Sequence, residues 1–95
     1  MAQYAIFDVT ITDLAKYKEY MVLVKPVIEA AGGRYLVRGG AHVVLEGDWN
    51  PTRLVVLEFP SADAARSFYG SPEYRGLKSM RESCSRANLV TVEGV

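Results

Sequence analysis

Two carboxylates, one arginine and the chain's single histidine stand where strand and turn patterns could bring them together: Asp8, Glu58, Arg38 and His42. Two nearby carboxylates disfavour each other's ionised form and an arginine favours it, so one carboxyl group of such a set could titrate near neutral pH and accept a proton. Asp8 and Glu58 are therefore the candidate catalytic pair. Arg38, whose planar fork can hold both oxygens of a carboxylate, is the candidate for binding an anionic group. The competing reading of the same charges is an ion-pair network that fixes an interface. His42 follows two glycines and titrates near neutrality, which makes it a ligand-binding candidate, although a solvated loop histidine is the plainer reading. Trp49, Tyr69 and Tyr74 complete the candidate ligand-binding set, because aromatic rings with polar edges line small-molecule pockets; core and loop-anchoring roles compete with that one.

Other chemistries find little support. Cys84 is the only cysteine, so an internal disulfide and a thiolate metal cluster are both excluded, and its helical context predicts a small buried side chain. The oxygen and nitrogen ligands His42, Asp8, Glu58 and Glu46 show no metal-site spacing, and no haem pocket can be identified, so no metal and no cofactor are expected. No GxGxxG or GxxxxGK pattern is present. Eleven basic and eleven acidic side chains cancel, which removes the broad positive field that attracts nucleic acid or anionic lipid. No apolar run approaches the roughly 20 residues of a membrane span, and the start lacks a leader-like pattern, so a cytoplasmic location is expected. Apolar residues make up 49% of the 95 and charged residues 23%, the balance of one folded domain over residues 1–95.

The elements that must position these residues emerge from periodicity. Gln3 to Ile11 alternates, with Ala5, Phe7, Val9 and Ile11 on one face and Tyr4, Ile6, Asp8 and Thr10 on the other. Thr12 is the expected cap of a helix to about Ala31, its stripe formed by Leu14, Tyr17, Met21, Val24 and Ile28. Pro26 should kink that helix near residues 22–25, and Gly32-Gly33 should end it. A second strand is expected over Arg34–Arg38, a bend or bulge at Gly39-Gly40, a short extended stretch over His42–Glu46, and a third strand over Arg53–Phe59. Ser61 and Ser71 are expected caps of two further helical segments, the second placing Tyr74, Leu77, Arg81 and Cys84 on one face. Arg75, Lys78, Arg81 and Arg86 also read as a solvated basic strip. Asn88–Glu93 is the expected last strand.

Strand, helix, strand in each half predicts a β-α-β-β-α-β domain of the α+β class, with a four-stranded antiparallel sheet in the order 4-1-3-2 and helices on one face. The helix-packed set is predicted as Ala5, Phe7, Val9, Ile11, Tyr35, Val37, Val55, Leu57, Phe59, Val90 and Val92. The opposite face would then carry Ile6, Leu36, Leu54, Val56 and Leu89 among the charges Asp8, Arg34, Arg38, Glu58 and Glu93. An apolar patch of that size marks an interface or a ligand cavity, and a second sheet packed against it would explain it.

Four stretches, Gly32-Gly33-Arg34-Tyr35-Leu36-Val37-Arg38-Gly39-Gly40, Leu45-Glu46-Gly47-Asp48-Trp49, Arg53 to Ser61 and Tyr69-Gly70-Ser71-Pro72-Glu73-Tyr74, resemble small uncharacterised proteins of the dimeric α+β barrel superfamily, over nearly the whole chain. The resemblance implies a ferredoxin-like subunit whose sheet packs on that of a second subunit, hence a homodimer. It implies no reaction, since that superfamily includes cofactor-independent monooxygenases, muconolactone isomerases and haem-binding peroxidases. Three functions stay open. One is a cofactor-free isomerase, lyase or oxygenase acting on a small, partly apolar, anionic molecule, with Asp8 or Glu58 as base. The second is a module that binds such a molecule unchanged. The third is a structural homodimer with a filled interior.

Overall fold

The computed structural model describes all 95 residues. The alternating run Gln3–Ile11 forms strand β1, followed by helix α1 (Leu14–Ala30), strands β2 (Arg34–Arg38) and β3 (Leu54–Phe59), helices α2 (Ala62–Tyr69) and α3 (Pro72–Cys84), and strand β4 (Ser85–Glu93). The sheet order is β2-β3-β1-β4, antiparallel throughout, the expected order with the two longest strands at its centre and edge. This is a ferredoxin-like α+β fold, with the second helical segment split at Gly70.

Local chemistry sets the helix ends. Asp13, not Thr12, caps α1, its carboxylate accepting the Lys16 N–H at 3.2 Å. Aspartate supplies two acceptor oxygens where the threonine one position earlier sits outside the turn. Ser61 and Ser71 cap α2 and α3 as expected, accepting from the N–H groups of Ala64 and Tyr74 at 3.0 and 3.1 Å. Helix α1 runs on through Pro26 to Ala30. At its C-terminus the left-handed Gly32 lets the Gly33 N–H return to the Ile28 carbonyl at 2.9 Å, satisfying one orphan acceptor.

The core lies between the sheet and the helices and includes Phe7, Val9, Val55, Leu57 and Phe59 from the strands with Tyr17, Tyr20, Val24, Ile28, Phe68, Tyr74 and Cys84 from the helices. Cys84 is fully buried, as its helical context predicts. The α1 stripe departs from expectation at its start: Leu14 is 54% exposed and Tyr20 is buried instead. Burial along α1 begins at Tyr17 and continues through Tyr20, Val24 and Ile28.

Two face assignments are corrected. Strand β4 starts at Ser85, and its pairing sets Ala87, Leu89 and Thr91 opposite Val9, Phe7 and Ala5, on the helix side. Val90 and Val92 therefore lie on the open face, exposed by 58% and 50%. Both parities of this strand carry apolar residues, so alternation could not choose and pairing with β1 did. In β2 the irregularity falls at Leu36, between Tyr35 and Val37, rather than at Gly39-Gly40. One extra residue inverts the alternation beyond it. Val37 consequently pairs in line with Val56 on the open face, while Arg38 pairs with Val55 and turns toward the helices. The stretch His42–Glu46 makes no strand, and residues 41–50 are all exposed.

Candidate functional site

Asp8 stands on the open face of β1, where the long connection from β2 to β3 folds back onto it. The Trp49 indole N–H donates to Asp8 Oδ2 and the Thr52 backbone N–H to Asp8 Oδ1, each at 2.9 Å. Thr10 Oγ1 meets Thr52 Oγ1 at 3.1 Å on the same face. The indole hydrogen bond is the largest influence on the Asp8 carboxyl, holding it below its usual 3.8; slight burial opposes this, while backbone N–H groups and the charge of His42 add to it. Trp49 and His42 are thus placed near Asp8, both exposed. The arrangement is a carboxylate staple for the 39–53 connection.

Glu58 does not join it. In the β1–β3 register Glu58 faces Tyr4 and Asp8 faces Leu54, so the two carboxylates share a face four residues apart, about 13 Å at the rise of an extended strand. Antiparallel register pairs residues whose positions sum to a constant, and here that sum separates Asp8 from Glu58. Glu58 instead accepts from Arg34 Nε at 2.7 Å. Arg38, sent to the helix side by the Leu36 bulge, stacks over the Tyr35 ring at 4.6 Å. The expected Asp8–Glu58–Arg38 grouping therefore does not form, and the environment of Asp8 favours its charged form instead of a neutral one.

The candidate tyrosines separate as well. Tyr74 is fully buried, its hydroxyl 3.1 Å from that of Tyr20 and accepting from Arg81 Nε at 3.3 Å. Burial, the facing Tyr74 oxygen and their hydrogen bond push the Tyr20 phenol far above its ordinary pKa, so Tyr20 stays protonated in this network. Arg81 belongs to it and is only 6% exposed, so it leaves the solvated strip of Arg75, Lys78 and Arg86. Tyr69 is 40% exposed, carries Lys78 over its ring at 4.8 Å, and borders a large cavity.

That cavity lies between α2 and the β1–β4 half of the sheet and measures about 520 Å³. Its walls are mainly apolar: Phe7, Phe59, Phe68, Tyr69 and Leu89, closed by Ala62 and Ala65 of α2. Gln3, Thr91 and Arg66 contribute the polar edges. Gln3 is 9% exposed, and its Oε1 is buried without a hydrogen-bond partner. Buried amide oxygens are nearly always satisfied, so this orphan is an unmet acceptor within the wall, beside the cavity and without surface open to it. The lining holds no carboxylate, histidine or cysteine. Sequence reasoning passed over Gln3, yet its parity with Ala5, Phe7 and Val9 already assigns it to the inward face.

Comparison with known proteins agrees with this architecture. Residues 2–95 match the family described as a domain of unknown function, DUF1330. The chain belongs to that family. Within the fold, this DUF1330 domain superposes on a protein of unknown function from Rhodopseudomonas palustris with a TM-score of 0.81 at 20% identity, covering 99% of this chain and 82% of that one. A dimeric ferredoxin-like protein of unknown function from Jannaschia sp. gives a TM-score of 0.69 at 15% identity, covering 99% and 100%. A cofactor-independent oxygenase from Streptomyces nogalater gives 0.61 at 11% identity, covering 99% and 91%. At these identities the likeness is one of fold. No match is found among curated proteins. No helix is long and apolar enough to cross a membrane.

Proposed function

We propose that this DUF1330 domain is a homodimeric small-molecule-binding protein that holds a partly apolar ligand in the cavity beneath α2. The observation that carries the reading is the cavity itself: about 520 Å³, within the usual range for ligand pockets, walled by aromatic rings and edged by Gln3, Thr91 and Arg66. A flat aromatic or alicyclic molecule with a polar group at one edge fits that lining, the polar group lying toward Thr91 and Arg66. The absence of a general base among the lining residues favours binding over acid–base turnover. Asp8 and Glu58, separated on the opposite face, serve the connection and the sheet edge respectively.

Dimerisation is supported by the open face. Val37, Val90 and Val92 are exposed there beside the half-buried Ile6, Leu54 and Val56, a contiguous apolar surface that a solvated sheet would seldom keep. The Jannaschia protein of the same fold is dimeric.

Native mass spectrometry of gently purified protein tests both parts. The expected result is a dimer carrying a small molecule, or one that takes up indole or 1-naphthol. Ala62→Trp, an exposed position at the cavity wall, should abolish uptake while leaving the dimer intact. A monomer refutes the dimer, and uptake unchanged by Ala62→Trp refutes the cavity.

A further inference from the structure

On the same side of the sheet, but between α1 and the β1–β3–β2 half, lies a second cavity of about 20 Å³, room for one or two water-sized groups. Three of its lining residues are arginines, Arg38, Arg53 and Arg81. The ion pairs of the protein are Arg34–Glu58 and Arg66–Asp63, so none of these three guanidinium groups has a carboxylate partner. Each rests on phenol instead: Arg38 over Tyr35 at 4.6 Å, Arg53 near the Tyr17 ring at 5.8 Å, and Arg81 bonded to the Tyr74 hydroxyl at 3.3 Å. Burial pushes Tyr17, Tyr20 and Tyr35 upward, so these three phenols supply no negative charge.

The donors of this cluster outnumber its acceptors. Arg81, 6% exposed, makes one side-chain hydrogen bond through Nε, and the fork beyond it has no protein acceptor. Arg53 Nε is buried and unpartnered, and its Nη2 reaches only the weakly accepting Met21 sulfur at 3.4 Å. The guanidinium of Arg53 lies against the backbone of Gly39, whose left-handed conformation and missing side chain leave it that space. Arg81 is buried, Arg53 half-buried and Arg38 exposed, and three like charges meeting beside a mainly apolar wall with no carboxylate among them are an arrangement that a bound anion would offset. Guanidinium forks match planar oxyanions in particular.

We propose that Arg38, Arg53 and Arg81 form a binding site for a small planar oxyanion, either a free ion or the carboxylate end of an organic acid. The site is distinct from the cavity beneath α2 and does not depend on it. Arg81 and Arg53 grip the anion from within, and the exposed Arg38 closes over it from the strand edge. The void itself takes about one oxygen of the anion, and the rest of the head group lies at the open mouth beside the exposed Arg38.

Thermal melting and calorimetric titration of the intact protein with sodium formate and sodium nitrate test this, against equal concentrations of sodium gluconate, whose hydroxylated chain would have to shed its water beside the mainly apolar lining. Formate or nitrate should raise the melting temperature saturably where gluconate does not. Arg53→Met, matching the length of the arginine stem, should weaken formate binding at least about tenfold, the loss expected for charge-assisted hydrogen bonds. In gluconate that variant should melt no lower than wild type, because it removes an unpaired charge; a purely structural arginine would destabilise on removal. Arg38→Gln, at an exposed position that leaves folding intact, should also weaken binding. Affinity rising from formate to butyrate and benzoate identifies an organic acid as the ligand, and affinity falling along that series identifies a free ion. Equal response to formate and gluconate, unchanged formate affinity in both variants, or dissociation of the dimer in either variant, which would mean that a partner carboxylate fills the site, overturns the proposal.

Discussion

Tyr74→Phe removes a single oxygen from the centre of the protein, and the network around that oxygen sets the cost. Tyr74 has no exposed surface, and its hydroxyl is shared by Tyr20 at 3.1 Å and by Arg81 Nε at 3.3 Å. Losing it strands a buried phenol and one donor of a buried cation. With about 1 kcal/mol for the first and about 2 kcal/mol for the second, the expected loss is about 3 kcal/mol. Tyr20→Phe removes a hydroxyl at the end of the same chain and leaves the Arg81–Tyr74 bond in place, so about 1 kcal/mol is expected. The assay is urea unfolding at fixed protein concentration, followed by far-ultraviolet circular dichroism. For a domain of this size the slope is about 1 kcal/mol per molar, which puts the two midpoint shifts near 3 M and 1 M with unchanged slope. A Tyr20→Phe loss equal to or larger than that of Tyr74→Phe would show that Tyr74 is not the shared acceptor and refute the reasoning.

Asp8 is depressed in the folded protein, so its hydrogen bonds contribute stability that is fully present above the ordinary carboxylate pKa of 3.8 and lost as pH falls through the lower folded value. Trp49, the only tryptophan, reports on this directly: its emission should change with a midpoint below 3.8 and the transition should vanish in Asp8→Asn, whereas a midpoint at or above 3.8 contradicts the staple. Gly33→Ala would place a methyl group 2.7 Å from the Phe59 ring and 2.9 Å from Ile28, an overpacking expected to cost about 1–3 kcal/mol in chemical denaturation. Arg34→Ala should cost under about 1 kcal/mol by the same measurement, because the arginine of the Arg34–Glu58 pair is 70% exposed; a larger loss would mean that the pair is buried in the assembled protein.

Much of the fold was legible because short-range physics governs it. Alternation set β1 and β3, serine caps started α2 and α3, glycines ended α1, and the strand–helix–strand repeat implied the strand order. Even the buried Arg81 was signalled by its spacing from Tyr74, Leu77 and Cys84, and Arg53 and Gln3 by their parity with core residues. What the chain alone left undecided was register. In β4 both faces are apolar, so only pairing with β1 assigned Leu89 inward and Val90 outward. In β2 one bulged residue at Leu36 carried Arg38 from the open face to the helix side. In β1 and β3 the pairing put Asp8 and Glu58 at opposite ends of a shared face.

The candidate site moved for that reason. Residue types and strand parity are properties of the sequence, and they determined which side chains could do chemistry and that one sheet face would be open. Which of those side chains meet depends on a sum of positions across two strands and on single-residue bulges, and these are settled by the packing of the whole sheet against α1 and α3. Two cavities and a cluster of arginines without carboxylate partners exist only because that packing is fixed in three dimensions.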